Sequence, residues 1–223
     1  TTYAIVSSFA AVGIYFEGLN TERFVDILVW WFVTPITAFG VAFIVGKILN
    51  HKTVRYFSFL KEGPKIKVLL GALLTFSGCY VAFAGGANGV GKAMAPVVAS
   101  GFTDNSWALL LGGAGIAAGA LIFGKGALEK DEREMGEIGF VRAIVIELIC
   151  ATLLLIAAVN GIPLSVSVTV TAALTGLGCA DIGVPQSFRK HHIVRTVLIW
   201  TIIPFFSSIL TYSLLRLLHF ILK

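Results

Sequence analysis

Long apolar runs separated by short polar connectors dominate the chain. Ile27 to Val45 carries no charge, and Ile144 to Ile162 carries only Glu147. About 20 apolar residues in a helix cross the hydrocarbon core of a bilayer, so each run reads as a spanning helix. The pattern predicts a small-residue apolar segment at 1–16, a long helix at 24–49 containing Trp30, Trp31 and Pro35, and an apolar run at 68–84. Further spans are predicted at 106–124, 138–160 and 193–220, and Leu164 to Cys179 is short and rich in hydroxyls. Gly126 to Glu137 and Asp181 to His192 read as polar connectors.

Two places interrupt this pattern. The first is Ala84-Gly85-Gly86-Ala87-Asn88-Gly89-Val90-Gly91-Lys92. Gly86 to Lys92 has the spacing of a phosphate loop, but Ala93 stands where Mg²⁺ binding wants Ser or Thr, and the flanks are membrane-length runs rather than a soluble sheet. The physical alternative is a helix opened at membrane depth, which is tolerated only where it lines a cavity. A half-helix starting near Asn88 would then present free N–H groups and a positive end to an anion, with Lys92 one turn in. The second interruption is Gly161-Ile162-Pro163-Leu164-Ser165-Val166-Ser167-Val168-Thr169. Pro163 ends the preceding helix, Ser165 is expected to cap the next one, and Ser167 and Thr169 add hydroxyl donors.

Composition narrows the class. The chain is 57% hydrophobic and 13% charged, about half the roughly 25% charge of an average soluble domain. Its mean hydropathy is +0.91. The net charge of +5 is concentrated by position: Lys47, Lys52, Arg55, Lys61, Lys65 and Lys67 lie between two apolar runs with only Glu62 among them, the pattern of a cytoplasmic loop. With no soluble domain to hold it, that cluster is not read as a nucleic-acid patch. Cys79, Cys150 and Cys179 stand at unrelated spacings and form no metal pattern.

The chain also resembles itself. Residues 1–13, TTYAIVSSFAAVG, align with 166–178, VSVTVTAALTGLG, and Trp31 to Pro35 matches Trp200 to Pro204 at nearly the same offset. Internal repeats with interrupted helices in matching places mark secondary transporters, whose site lies at the repeat interface near mid-membrane. The repeat places residues 1–50 at the end of a first inverted repeat, 51–67 in a basic cytoplasmic loop and 68–223 in a second repeat. Glu147, ionisable at mid-span, is a functional candidate by default, free to pair with Arg142 or Lys92, bind a coupling cation or carry a proton.

These residues carry a resemblance. Gly86-Ala87-Asn88-Gly89-Val90-Gly91-Lys92-Ala93 resembles the G-A-N-D-V-A-N-A signature of the inorganic phosphate transporter (PiT) family, which includes sulfate permeases, and Gly161 to Val168 is similar to its G-x-P-V-S-T-T-H element. Thr1 to Val6 resembles the end of the first copy of that element, so the chain looks like the C-terminal two thirds of such a transporter.

The resemblance implies an all-α polytopic membrane bundle with inverted repeats and broken, re-entrant helices. It implies a symporter for phosphate, or alternatively for sulfate with proton rather than sodium coupling, and not an enzyme. The resemblance points to Asn88, Ser165, Ser167, Thr1 and Thr2 for the anion and sodium sites; joined with the reading of the residues, the expected anion site comprises these with Gly89 and Lys92, with Asn88, Glu147 and Thr169 on the coupling ion and no bound metal. No cofactor is expected beyond Na⁺ or H⁺ as coupling ion. The expected setting is the cell membrane as a multi-pass protein, with a homodimer compatible with it. The signature Asp is Gly89 here and its second Asn is Lys92, so an ammonium stands ready to replace one bound cation. A membrane scaffold and an enzyme acting on phosphorylated lipid are the rivals; the first has no use for paired broken helices, and the second wants paired acids that the spans lack.

Overall fold

The computed structural model describes residues 2–50, 64–135, 139–183 and 191–222. The described residues are helical, with no strand among them. In chain order the helices are α1 (Thr2–Tyr15), α2 (Thr21–Leu49), α3 (Pro64–Ala99), α4 (Asn105–Met135), α5 (Phe140–Val159), α6 (Val166–Ile182) and α7 (His191–Ile221). Five are long and apolar enough to cross a membrane. The 14 residues of α1 and 17 of α6, at 1.5 Å rise per residue, fall short of a core about 30 Å thick.

Two expectations are corrected here. The glycine stretch does not open: α3 runs as one helix through Gly85, Gly86, Gly89 and Gly91. Each glycine weakens a helix by about 1 kcal/mol in water, but lipid offers the backbone no other partner, so the ladder persists. Gly85 and Gly89 serve contact instead. A Cβ at Gly85 would stand 3.6 Å from Val166, and one at Gly89 would stand 3.2 Å from Ile116, so both neighbours lie directly on the backbone of α3. The segment from Gly126 is likewise not a loop up to Met135. It continues α4, because its Ala, Leu, Glu, Lys and Arg residues are strong helix formers. Of the expected basic loop, 51–63 lie outside the described residues, and Pro64 to Lys67 form the start of α3, with Pro at the first helical position, where its missing N–H does no harm.

Packing rests on small residues. One buried cluster joins Ala38, Ala42, Ile146, Cys150, Ala173 and Leu177 where α2, α5 and α6 meet. A second joins Ala84, Ala151, Leu154, Ala157, Ile162 and Leu164 between α3, α5 and the α5–α6 link. In lipid, close backbone approach replaces the hydrophobic drive between helices. At Gly176 the approach is extreme, since a Cβ there would overlap the carbonyl oxygen of Phe39. Phe32, Phe76, Phe123 and Phe205 point outward, as a lipid-facing surface requires.

The two short helices pack crosswise. α1 lies chiefly against α7 and α2 against α6. These are the four segments paired by the sequence repeat, each short helix set against the long helix of the other copy.

Candidate functional site

The site forms where the α5–α6 link meets α3 and the start of α1. α5 ends in a Schellman arrangement: Gly161 donates to Ala158 and Ile162 to Ala157, at 3.0 and 2.8 Å, with Gly161 at φ +69°. The link then runs without regular structure to Ser165, whose backbone is extended, before α6 begins.

Three consecutive carbonyls of this link are each bound by a side chain from another helix. The Asn88 Nδ2 donates to Ile162 O at 3.1 Å. The Trp31 indole N–H donates to Pro163 O at 3.1 Å. The Lys92 Nζ donates to Leu164 O at 2.7 Å, and Thr2 Oγ1 donates to the same oxygen at 3.2 Å. Asn88 closes the set by accepting from Leu164 N at 3.2 Å. Unwound backbone at membrane depth demands this.

Lys92 also donates to Thr2 Oγ1 at 3.0 Å. Its ammonium therefore sits between the first turn of α1 and the lead-in to α6, using two of its three donors. Asn88 and Thr2 are buried, Lys92 half-buried. A cavity of about 440 Å³ opens beside them, walled by Ile5, Phe9 and Phe24 and reaching from Asn88 and Lys92 to Asn20 and Arg23 at the start of α2. Among its described lining residues, Lys92 and Arg23 carry the charge.

The predicted site residues thus divide. Asn88, Lys92 and Thr2 come together. Thr1 lies outside the described residues. Gly89 is turned away, against Ile116, because one residue along a helix is a rotation of about 100° from Asn88. Ser165 takes the N-cap position of α6, but its side chain makes no cap hydrogen bond; its carbonyl instead accepts from the Thr169 N–H and hydroxyl, at 3.2 and 3.1 Å. Ser167 is exposed. Glu147 pairs with neither Arg142 nor Lys92. It accepts from Ser77 across the α3–α5 contact, while Arg142 pairs with Asp181 at 2.6 Å and Asp181 also accepts from Asn50 at 2.6 Å. Sequence reasoning missed Trp31 and Arg23 as members of the site. The Trp31 signal was present in the repeated Trp-x-x-x-Pro motif; for Arg23 no motif exists.

A model of the phosphate transporter family matches residues 1–211. The chain belongs to that family. It is a multi-pass membrane protein, and the relatives named below are transporters or permeases rather than enzymes. It is 30% identical to the sulfate permease CysP of Bacillus subtilis, over 97% of this chain and 60% of that protein. It is 25% identical to a putative phosphate permease of Pyrococcus horikoshii, over 90% of this chain and 68% of the relative. The chain thus spans about 60–68% of the length of these relatives. A solved structure titled "The sodium-dependent phosphate transporter" superposes with a TM-score of 0.66 at 20% identity, covering 96% of this chain and 80% of that one, a likeness of fold.

Proposed function

We propose that this chain forms part of a secondary active symporter that moves inorganic phosphate across the membrane by alternating access. The observation that carries the reading is the Lys92 ammonium, set between two half-helices with one donor left for a ligand in the adjoining cavity. Asn88 lines the same cavity and keeps one amide hydrogen beyond the one given to Ile162. An oxyanion there would meet a full positive charge in a low-dielectric setting, where charge-assisted hydrogen bonds are strong.

Sulfate is the second reading, favoured by the 30% identity to a sulfate permease along 97% of this chain. Coupling follows from the ligands around Lys92. A backbone carbonyl and a hydroxyl oxygen are what a hard cation takes, and here the ammonium holds both. Lys92 accordingly stands in for one coupling cation, which favours protons over sodium. Glu147, within a span and bonded to Ser77, is the carboxylate that would carry the coupling charge.

The test is competition in proteoliposomes. Phosphate and sulfate should each displace labelled substrate, with the preferred cargo acting at the lower concentration. Failure of both to compete, with the protein inserted and folded, removes the reading.

A further inference from the structure

The geometry points to Trp31 as a positioning residue for the anion site, acting through Pro163 and Tyr3. This rests on the transport reading above.

Trp31 holds both half-helix starts at once. Its indole N–H donates to the Pro163 carbonyl at 3.1 Å, one residue before the Leu164 oxygen that takes the Lys92 ammonium. Its ring meets the Tyr3 ring edge-on, with centroids 4.2 Å apart and planes at 89°, one residue after the Thr2 hydroxyl that takes the same ammonium. Edge-to-face pairs at this separation are directional as well as apolar. The two oxygens that hold Lys92 are therefore each one residue from a group gripped by a single rigid ring. That ring stands on α2, whose base is packed on the cluster around Leu154 and Ile162.

Pro163 makes the grip specific. Its carbonyl lies between two neighbours bound from α3, at Ile162 and Leu164, so α3 secures the link from one side and Trp31 from another. Without the indole donor, the Pro163 carbonyl is left to find a partner at membrane depth, and the Leu164 oxygen turns with it. Trp31 does not itself line the cavity, although Pro163, which it binds, does; its effect reaches the anion through that link and through Lys92.

The experiment uses the full chain in proteoliposomes with labelled sulfate and phosphate. Trp31→Phe keeps the apolar bulk and a ring edge for Tyr3 but removes the donor. Its KM for the transported anion should rise about 10-fold, the size of one buried hydrogen bond, with kcat within about twofold of the parent. Tyr3→Leu, which keeps volume and loses the ring pair, should raise KM in the same direction. The two changes together should raise KM by less than the product of the single effects, because both act on one ring. Unchanged KM in Trp31→Phe, or a fall in kcat at unchanged KM, overturns the assignment and leaves Trp31 a packing residue. Should Trp31→Phe fail to fold, Tyr3→Leu decides by the same criterion. If the parent chain takes up neither anion, the transport reading falls and this inference with it; normal parent uptake with an unaltered variant removes this inference alone.

Discussion

The ammonium of Lys92 lies 2.7 Å from the carbonyl oxygen of Leu164, 72 positions further along the chain. A helix that looks broken in sequence thus meets the true break through a side chain. Lys92→Ala should weaken anion binding by at least about 10-fold, since a charge-assisted contact of roughly 1.5–3 kcal/mol is lost. Sulfate and phosphate inhibition constants in proteoliposomes measure this; unchanged affinity takes Lys92 out of the site.

The same ammonium makes a statement about coupling. With sodium replaced by choline, uptake should persist at a comparable rate and respond to an imposed pH gradient. Strict sodium dependence with two sodium ions per anion would show that Lys92 stands in for no cation.

Asn88 fastens the link by two hydrogen bonds, at 3.1 and 3.2 Å. Asn88→Leu, close in volume but without amide groups, leaves the Ile162 carbonyl and the Leu164 N–H unpaired in a buried place. The expected loss is about 2–5 kcal/mol, seen as a lowered thermal midpoint in detergent. Asn88→Asp keeps an acceptor for Leu164 N but loses the donor, and should fall between the two.

Gly176 tests the crossing of α2 and α6. Gly176→Ala drives a methyl into the Phe39 carbonyl and should destabilise by about 1–3 kcal/mol. Gly113→Ala in α4 has nothing within 4 Å and should be neutral or stabilising by up to about 1 kcal/mol. Equal melting of the two variants would refute the close contact.

What the sequence discloses and what it hides follow from physics of different range. The break at Gly161 to Pro163 is legible because both signals are local, a left-handed C-cap glycine and a proline that cannot continue a helix. The spans are legible because bilayer thickness fixes their length. The glycine stretch misleads, because glycine permits unwinding without requiring it, and the deciding factor is whether a partner exists for the freed backbone. Only the three-dimensional arrangement supplies that answer: Val166 and Ile116 lie against these glycines as helix neighbours. Asn88 and Lys92 are found as candidates because polar groups in an apolar run stand out, and Thr2 because the repeat and the family resemblance point to it. Their pairing through the Leu164 oxygen, and the Trp31 bond to Pro163 across 132 positions, is not a pattern any window of sequence contains. Glu147 stands out equally, but its Ser77 partner does not, since a serine in a span needs no special reason to be there.

The crosswise packing of the short helices sets what can slide past what. Thr2 rides with α7, whereas Leu164 feeds into α6, which is tied to α2. The contacts therefore couple segments that the sequence match assigns to different copies, α1 with α7 and α2 with α6. Lys92, the Thr2 hydroxyl and the Tyr3–Trp31 ring pair stitch these two couples together, and whatever draws the ammonium away from Thr2 or Leu164 removes the charged stitch from that seam.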